Sequence, residues 1–235
     1  MEKIVCALWK PSSQSREAFN AALFEKLPPA LGASGATHLQ INVRDAEVEP
    51  AAGLVQQWQQ PQQDAVVQFW LPSANARFRG AIDRALSESC ERFAAWLVAE
   101  STIIPNTRHL APTGTRTPGW SQASFISFRA DLSREAAIAH WHTTHTRVAI
   151  ETQANFEYVQ NLVVLALTEG APPYDAFVEE CFPDSAMTNP QAFFDAVGNP
   201  EKFDANLRAM TQSCEAFIDF ARIDIIPTSQ FRFGA

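Results

Sequence analysis

Tyrosine is nearly missing from this chain: two residues in 235, set against seventeen Phe and six Trp. Aromatic bulk of that kind predicts a well-filled core or a pocket with aromatic walls. Positive charge is scarce as well. Lys and Arg number 18 against 26 Asp and Glu, a formal net charge of −8, which argues against a nucleic-acid surface built on clustered cations. Long apolar runs are missing too. Ile4-Val5-Cys6-Ala7-Leu8-Trp9 is too short to span a bilayer, and no basic leader with a cleavage site precedes it, so no signal peptide is expected. Cys6, Cys90, Cys181 and Cys214 form no C-x-x-C pair. The expectation is four reduced cysteines in a cytoplasmic protein that contacts neither nucleic acid nor membrane. The chain also lacks a G-x-G-x-x-G, a P-loop and a G-x-S-x-G, so no cofactor is expected.

What is present is ordinary in amount and repeated in order. Hydrophobic residues make up 46% and charged residues 19% of the chain, which excludes disorder. Arg84-Ala85-Leu86-Ser87-Glu88-Ser89-Cys90-Glu91-Arg92-Phe93 aligns with Arg208-Ala209-Met210-Thr211-Gln212-Ser213-Cys214-Glu215-Ala216-Phe217, six of ten positions being identical. Ile103-Ile104-Pro105 matches Ile225-Ile226-Pro227, and Ser15-Arg16-Glu17-Ala18 matches Ser133-Arg134-Glu135-Ala136. The offsets are 124, 122 and 118, and such drift is what loop insertions and deletions produce. Two diverged copies of one module are fused head to tail.

Each copy reads as strand, helix, strand, strand, helix, strand. In copy one, strands fall at 3–9, 37–43 and 65–71, and Ser15 caps the first helix. Ile82, Leu86, Cys90, Phe93 and Leu97 mark a helical stripe, and Ile103-Ile104 closes the unit. Copy two predicts strands at 123–129, 157–167, 174–180 and 222–226, with helices from Ser133 and at 203–220. The order βαββαβ is the ferredoxin-like split unit. The fold class expected is α+β: two ferredoxin-like units in one chain, sheets packed face to face as an internal barrel-like pseudo-dimer. The division is 1–105, a linker at 106–120 within the Pro-rich stretch Pro105 to Pro118, and 121–235. Gln56 to Gln63 reads as a loop with a helical turn. Further homo-oligomerisation stays open.

The first helices of the two copies differ in chemistry. Ile138, Trp141, His142, His145 and Val148 share one broad helical face, and the 118 offset places Leu23, Phe24 and Leu27 opposite Trp141, His142 and His145. Copy two therefore sets two imidazoles where copy one is apolar. Burying polar rings costs about 1–3 kcal/mol each without partners, so the exchange points to a cavity or to hydrogen-bond partners. Histidine is the common general acid or base near neutrality. His140 reads as a surface residue, His109 lies in the linker, and His38 is a pocket candidate of copy one. Glu151 and Asp175 are candidate acid partners. Cys90 and Cys214 sit at equivalent repeat positions and read as structural.

Leu132-Ser133-Arg134-Glu135, Trp141, His145 and Tyr158-Val159-Gln160-Asn161, followed by Tyr174-Asp175-Ala176 and Glu215-x-Phe217-Ile218-Asp219, resemble the EthD family. The likeness spans most of 121–227; copy one shares the Ser-Arg-Glu and Cys-Glu-x-Phe pieces but lacks the Trp and His. The resemblance implies a dimeric α-β barrel with a cleft between sheet and helices. It also implies cofactor-free chemistry, or haem chemistry, on small aromatic or polyketide-like molecules. The leading expectation is a lyase, isomerase, cyclase or decarboxylase. In it His145 is general acid or base, His142 assists, Tyr158 donates to a developing oxyanion, and Trp141, Phe125 and Asn161 contact substrate. The alternatives are a carrier of a small hydrophobic compound, and a haem protein or cofactor-free monooxygenase with His145 as the axial ligand of the haem form.

Overall fold

The computed structural model describes residues 1–234. In copy one, β1 (Glu2–Trp9) leads to α1 (Arg16–Ala33), where the Ser15 hydroxyl accepts from the Ala18 amide at 3.2 Å. The buried stripe of α1 is Phe19, Leu23, Leu27 and Leu31, four residues apart throughout. Strands β2 (Thr37–Val43) and β3 (Ala65–Leu71) follow, then α2 (Ala76–Ser89) and β4 (Arg92–Ile104). Copy two runs β5 (Trp120–Ile126), α3 (Arg134–His140), a wide turn at Trp141–His145, α4 (Thr146–Thr152), β6 (Glu157–Ala166) and β7 (Ala176–Phe182). A short α5 (Pro190–Phe193), α6 (Pro200–Glu215) and β8 (Asp224–Phe233) complete it.

Three local expectations are corrected. Phe93 and Leu97 lie in β4, not in the second helix; residues four apart share a face in a strand as well as in a helix, so spacing alone misplaced them. The helical turn near the Gln-rich segment lies before it, at Ala46–Leu54, while residues 56–63 form no helix. β8 extends to Phe233, well past the expected end, because it pairs on both sides, with β5 and with β2.

The eight strands close into one barrel in the order β1-β3-β2-β8-β5-β7-β6-β4. Each copy supplies four neighbouring strands, and the seams are β2 with β8 and β4 with β6. Helices cover the outside, so alternate residues of every strand face either the barrel interior or the helix layer. One end of the interior is apolar, around Trp96, Phe125, Tyr174 and Phe177. The other end is polar and centred on Glu179, which is 1% exposed. Among the described residues no helix is long and apolar enough to cross a membrane.

Candidate functional site

In copy two the space between sheet and helices holds a cavity of ≈ 400 Å³. Its sheet wall is Ser124 and Ile126 from β5, Tyr158 from β6, and Val178 and Glu180 from β7. Its helix wall is Trp141 and His145, with Met210 and Cys214 from α6. Gly53 to Gln56 of copy one close one side. In copy one the corresponding volume is filled by Phe19, Leu23, Leu27 and Leu31, all fully buried.

The helix wall depends on a wide turn. The Thr146 amide donates to the Trp141 carbonyl, five residues back, which makes Trp141–His145 a π-helical turn. The Thr146 hydroxyl donates to the same carbonyl at 2.9 Å. This turn aligns Ala137, Trp141, His145 and Ala149 as one buried line, four residues apart. His142 falls outside that line and is exposed, so the expected role for it in the cleft is corrected. His140 is half-buried, not on the surface, and its Nε2 lies 3.1 Å from the Ser213 carbonyl.

His145 is 8% exposed, with Nδ1 at 3.0 Å from the Ser213 hydroxyl and its ring 5.0 Å from Phe217. Burial, and then the neighbouring His140, hold it down at about 4, so the ring is neutral at pH 7. Tyr158 is positioned by two donors: Gln160 Nε2 at 2.7 Å and Trp141 Nε1 at 3.4 Å both donate to its oxygen. Its own O–H is thus left to donate. Burial, and next the charge of Glu180, raise its pKa well above the ordinary value and keep it protonated.

Glu180, which belongs to none of the motifs singled out above, also lines the cleft. It is buried, accepts from Asn155 Nδ2 at 2.9 Å, and burial pushes it up to about 7. The signal was present: Val178-Glu179-Glu180-Cys181 places two acids side by side in an apolar strand. Adjacent strand residues face opposite sides, so one acid had to enter the barrel and the other the cleft. The two acids considered from sequence do not line this cavity. Glu151 is exposed and pairs with Arg147; Asp175 pairs with Arg134. The Cys214 thiol is pushed up to about 12 by burial and stays protonated.

Two further expectations are corrected by strand parity. Phe125 alternates with Ser124 and Ile126 and points into the barrel, 4.9 Å from Tyr174 ring to ring. Asn161 is three residues from Tyr158, so it too faces away from the cleft; it is fully buried, and neither amide atom has a partner. His38 lines the polar barrel mouth, and His109 stacks on Phe156 at 4.0 Å.

A closed barrel of two ferredoxin-like units with helices outside is the dimeric α-β barrel, here completed within one chain. It superposes on the crystal structure of an anthrone oxidase-like protein at a TM-score of 0.59 and 10% identity, over 100% of this chain and 94% of that one. A candidate chlorite dismutase matches at 0.51 and 8% identity, over 97% and 95%. Identities this low show the shared fold and nothing of the chemistry. No curated protein matches the sequence. Residues 129–221 match the EthD domain family, so copy two carries an EthD domain, with Trp141, His145, Tyr158 and Glu180 inside it.

Proposed function

We propose that the chain is a cofactor-independent enzyme moving a proton on a small, hydrophobic, carbonyl-bearing aromatic molecule held in the copy-two cleft. One observation carries the reading: a carboxylate buried in an apolar cavity, where burial pushes its pKa up to about 7, lining the same space as a tyrosine hydroxyl that keeps its proton. A general base works best with a pKa near the working pH. In this reading the Glu180 carboxylate takes the proton from a C–H that is alpha to the substrate carbonyl or conjugated with it through a ring, as in anthrone. The C–H electron pair becomes a C=C bond, the carbonyl π pair moves onto oxygen, and Tyr158 donates to the enolate so formed. Neutral His145 and Trp141 orient the ring. The step is common to isomerases, cyclases and some lyases, and the ≈ 400 Å³ volume suits a compound of two or three rings.

The name of the anthrone oxidase-like neighbour supplies a first probe. Anthrone in D2O should exchange its methylene protons faster with the protein than with buffer, followed by NMR. The catalysed rate should rise with pH through about 7 to a plateau. Glu180→Gln should lower it by roughly 10²–10⁴-fold, and Tyr158→Phe by about 10²-fold. A limb near 4 that vanishes in His145→Leu would return the base to His145 instead.

A carrier reading draws on the neutral, hydrogen-bonded state of His145. Binding seen as quenched tryptophan fluorescence, without exchange across a panel of such ketones, would favour it and defeat the enzyme reading.

A further inference from the structure

The repeat supplies an internal comparison at a second place. In copy two, Arg134 pairs with Asp175 and donates from its second terminal nitrogen to the Val163 carbonyl at 2.6 Å. The backbone frame around it recurs in copy one. Phe128 N donates to Asp175 Oδ2 at 2.8 Å, and Lys10 N to Asp64 Oδ2 at 3.0 Å. Val163 N donates to the Asp175 carbonyl, and Arg44 N to the Asp64 carbonyl. Arg16 therefore corresponds to Arg134, Asp64 to Asp175, and Arg44 to Val163.

The side chains do not follow the frame. Among the described residues Arg16 forms no ion pair with Asp64, and its enclosed Nε has no hydrogen-bond partner. Where copy two has Val163, copy one sets a second guanidinium, Arg44, which also forms no ion pair among the described residues. Both arginines line a cavity of ≈ 360 Å³ whose other walls include Val48, Ala52, Val55 and Pro227. Of the two acids that also line it, Asp45 is held by the Ser229 hydroxyl at 2.8 Å and Glu49 is exposed. Burial, and next the like charge of Arg16, press the Arg44 pKa down against the opposing charge of Asp64. Two guanidiniums that line one part-apolar space and are ion-paired to none of the acids near them are a fork for an oxyanion.

We propose that Arg16 and Arg44 form a second binding site, separate from the copy-two cleft, for a small organic anion carrying a phosphate or carboxylate on an apolar body. Val55 walls both cavities, so an occupant of the arginine site rests on the segment that closes the cleft.

Phenyl phosphate and benzoate, titrated at constant ionic strength with phenol as the neutral control, test this by thermal shift. Each anion that binds should raise Tm in a saturable way, and which of the two does so identifies the headgroup. Phenol should not. Arg44→Val installs the residue that copy two already uses at this place, so the scaffold tolerates it; Arg16→Gln is the second variant. Either should weaken anion binding roughly tenfold or more. Without anion, Arg44→Val should melt no lower than the parent, since a like-charge contact is removed. No shift with either anion, an equal shift with phenol, or shifts of unchanged size in both variants would overturn the proposal.

Discussion

Glu180 and His145 face one cleft, yet burial moves them in opposite senses, and the consequence is measurable in stability. The folded state holds a proton on Glu180 up to about pH 7, whereas the unfolded chain releases it near 4.5. This group's contribution is therefore lost as pH rises through that window. His145 stays neutral in the fold down to about 4, while the unfolded ring takes a proton near 6.5. Its contribution is lost as pH falls. Each effect amounts to roughly 3 kcal/mol over its full window. Between about 4.5 and 6.5 the two slopes oppose each other, so urea denaturation of the parent should give nearly flat stability there. Glu180→Gln should then gain stability steadily from pH 4 to 6.5, and His145→Leu should lose it from 4.5 to 7. Profiles of both variants parallel to the parent would show that neither group is shifted. His145 was legible at the residue scale because copy one supplies Leu27 for comparison. Glu180 was not, because its pKa comes from neighbours distant in sequence.

At the scale of elements, periodicity identified strands and helices but not always the right side of them. Phe125 and Asn161 belong to strands that were placed correctly, and each faces the barrel. A one-residue change of parity reverses a side chain, and only the positions of neighbouring layers fix which parity matters. The helix carrying His145 shows the same limit. A regular 3.6-residue turn puts His142 near the buried face; the π-helical turn moves the buried line to Trp141 and His145. Its start was legible in the sequence. Ser133 accepts from the Ala136 amide at 3.1 Å, as Ser15 does from Ala18 at 3.2 Å. Ser133→Ala and Ser15→Ala should each cost about 1 kcal/mol in urea denaturation. Unchanged stability in both would show that these serines do not hold the helix starts.

For the whole molecule, the barrel joins the two copies in one closed sheet. Glu179 joins them. It accepts from Gln40, Asn42 and Gln68 of copy one and from Ser121 and Gln230 of copy two, at 2.7–2.9 Å. Burial alone would raise its pKa; the bonds led by Gln68 and Gln230 outweigh that and hold it below the ordinary value. Glu179→Gln, which sets an amide against donors, should cost about 3–5 kcal/mol. Parent and variant should each unfold in one transition, by both fluorescence and circular dichroism. Two separated transitions in the parent would mean that the β2–β8 and β4–β6 seams do not couple the halves.

The sequence by itself determined the duplication, the βαββαβ order, the capped helix starts and the half of the chain that carries an EthD domain. All of these follow from local spacing or from comparing one copy with the other. Only the tertiary structure decided which faces meet. It withdrew His142, Phe125 and Asn161 from the cleft, brought Glu180 into it, and set Arg16 and Arg44 along one cavity with no ion pair to either. Burial, strand parity and ion pairing depend on residues brought together across the barrel, and no single stretch of the chain contains that information.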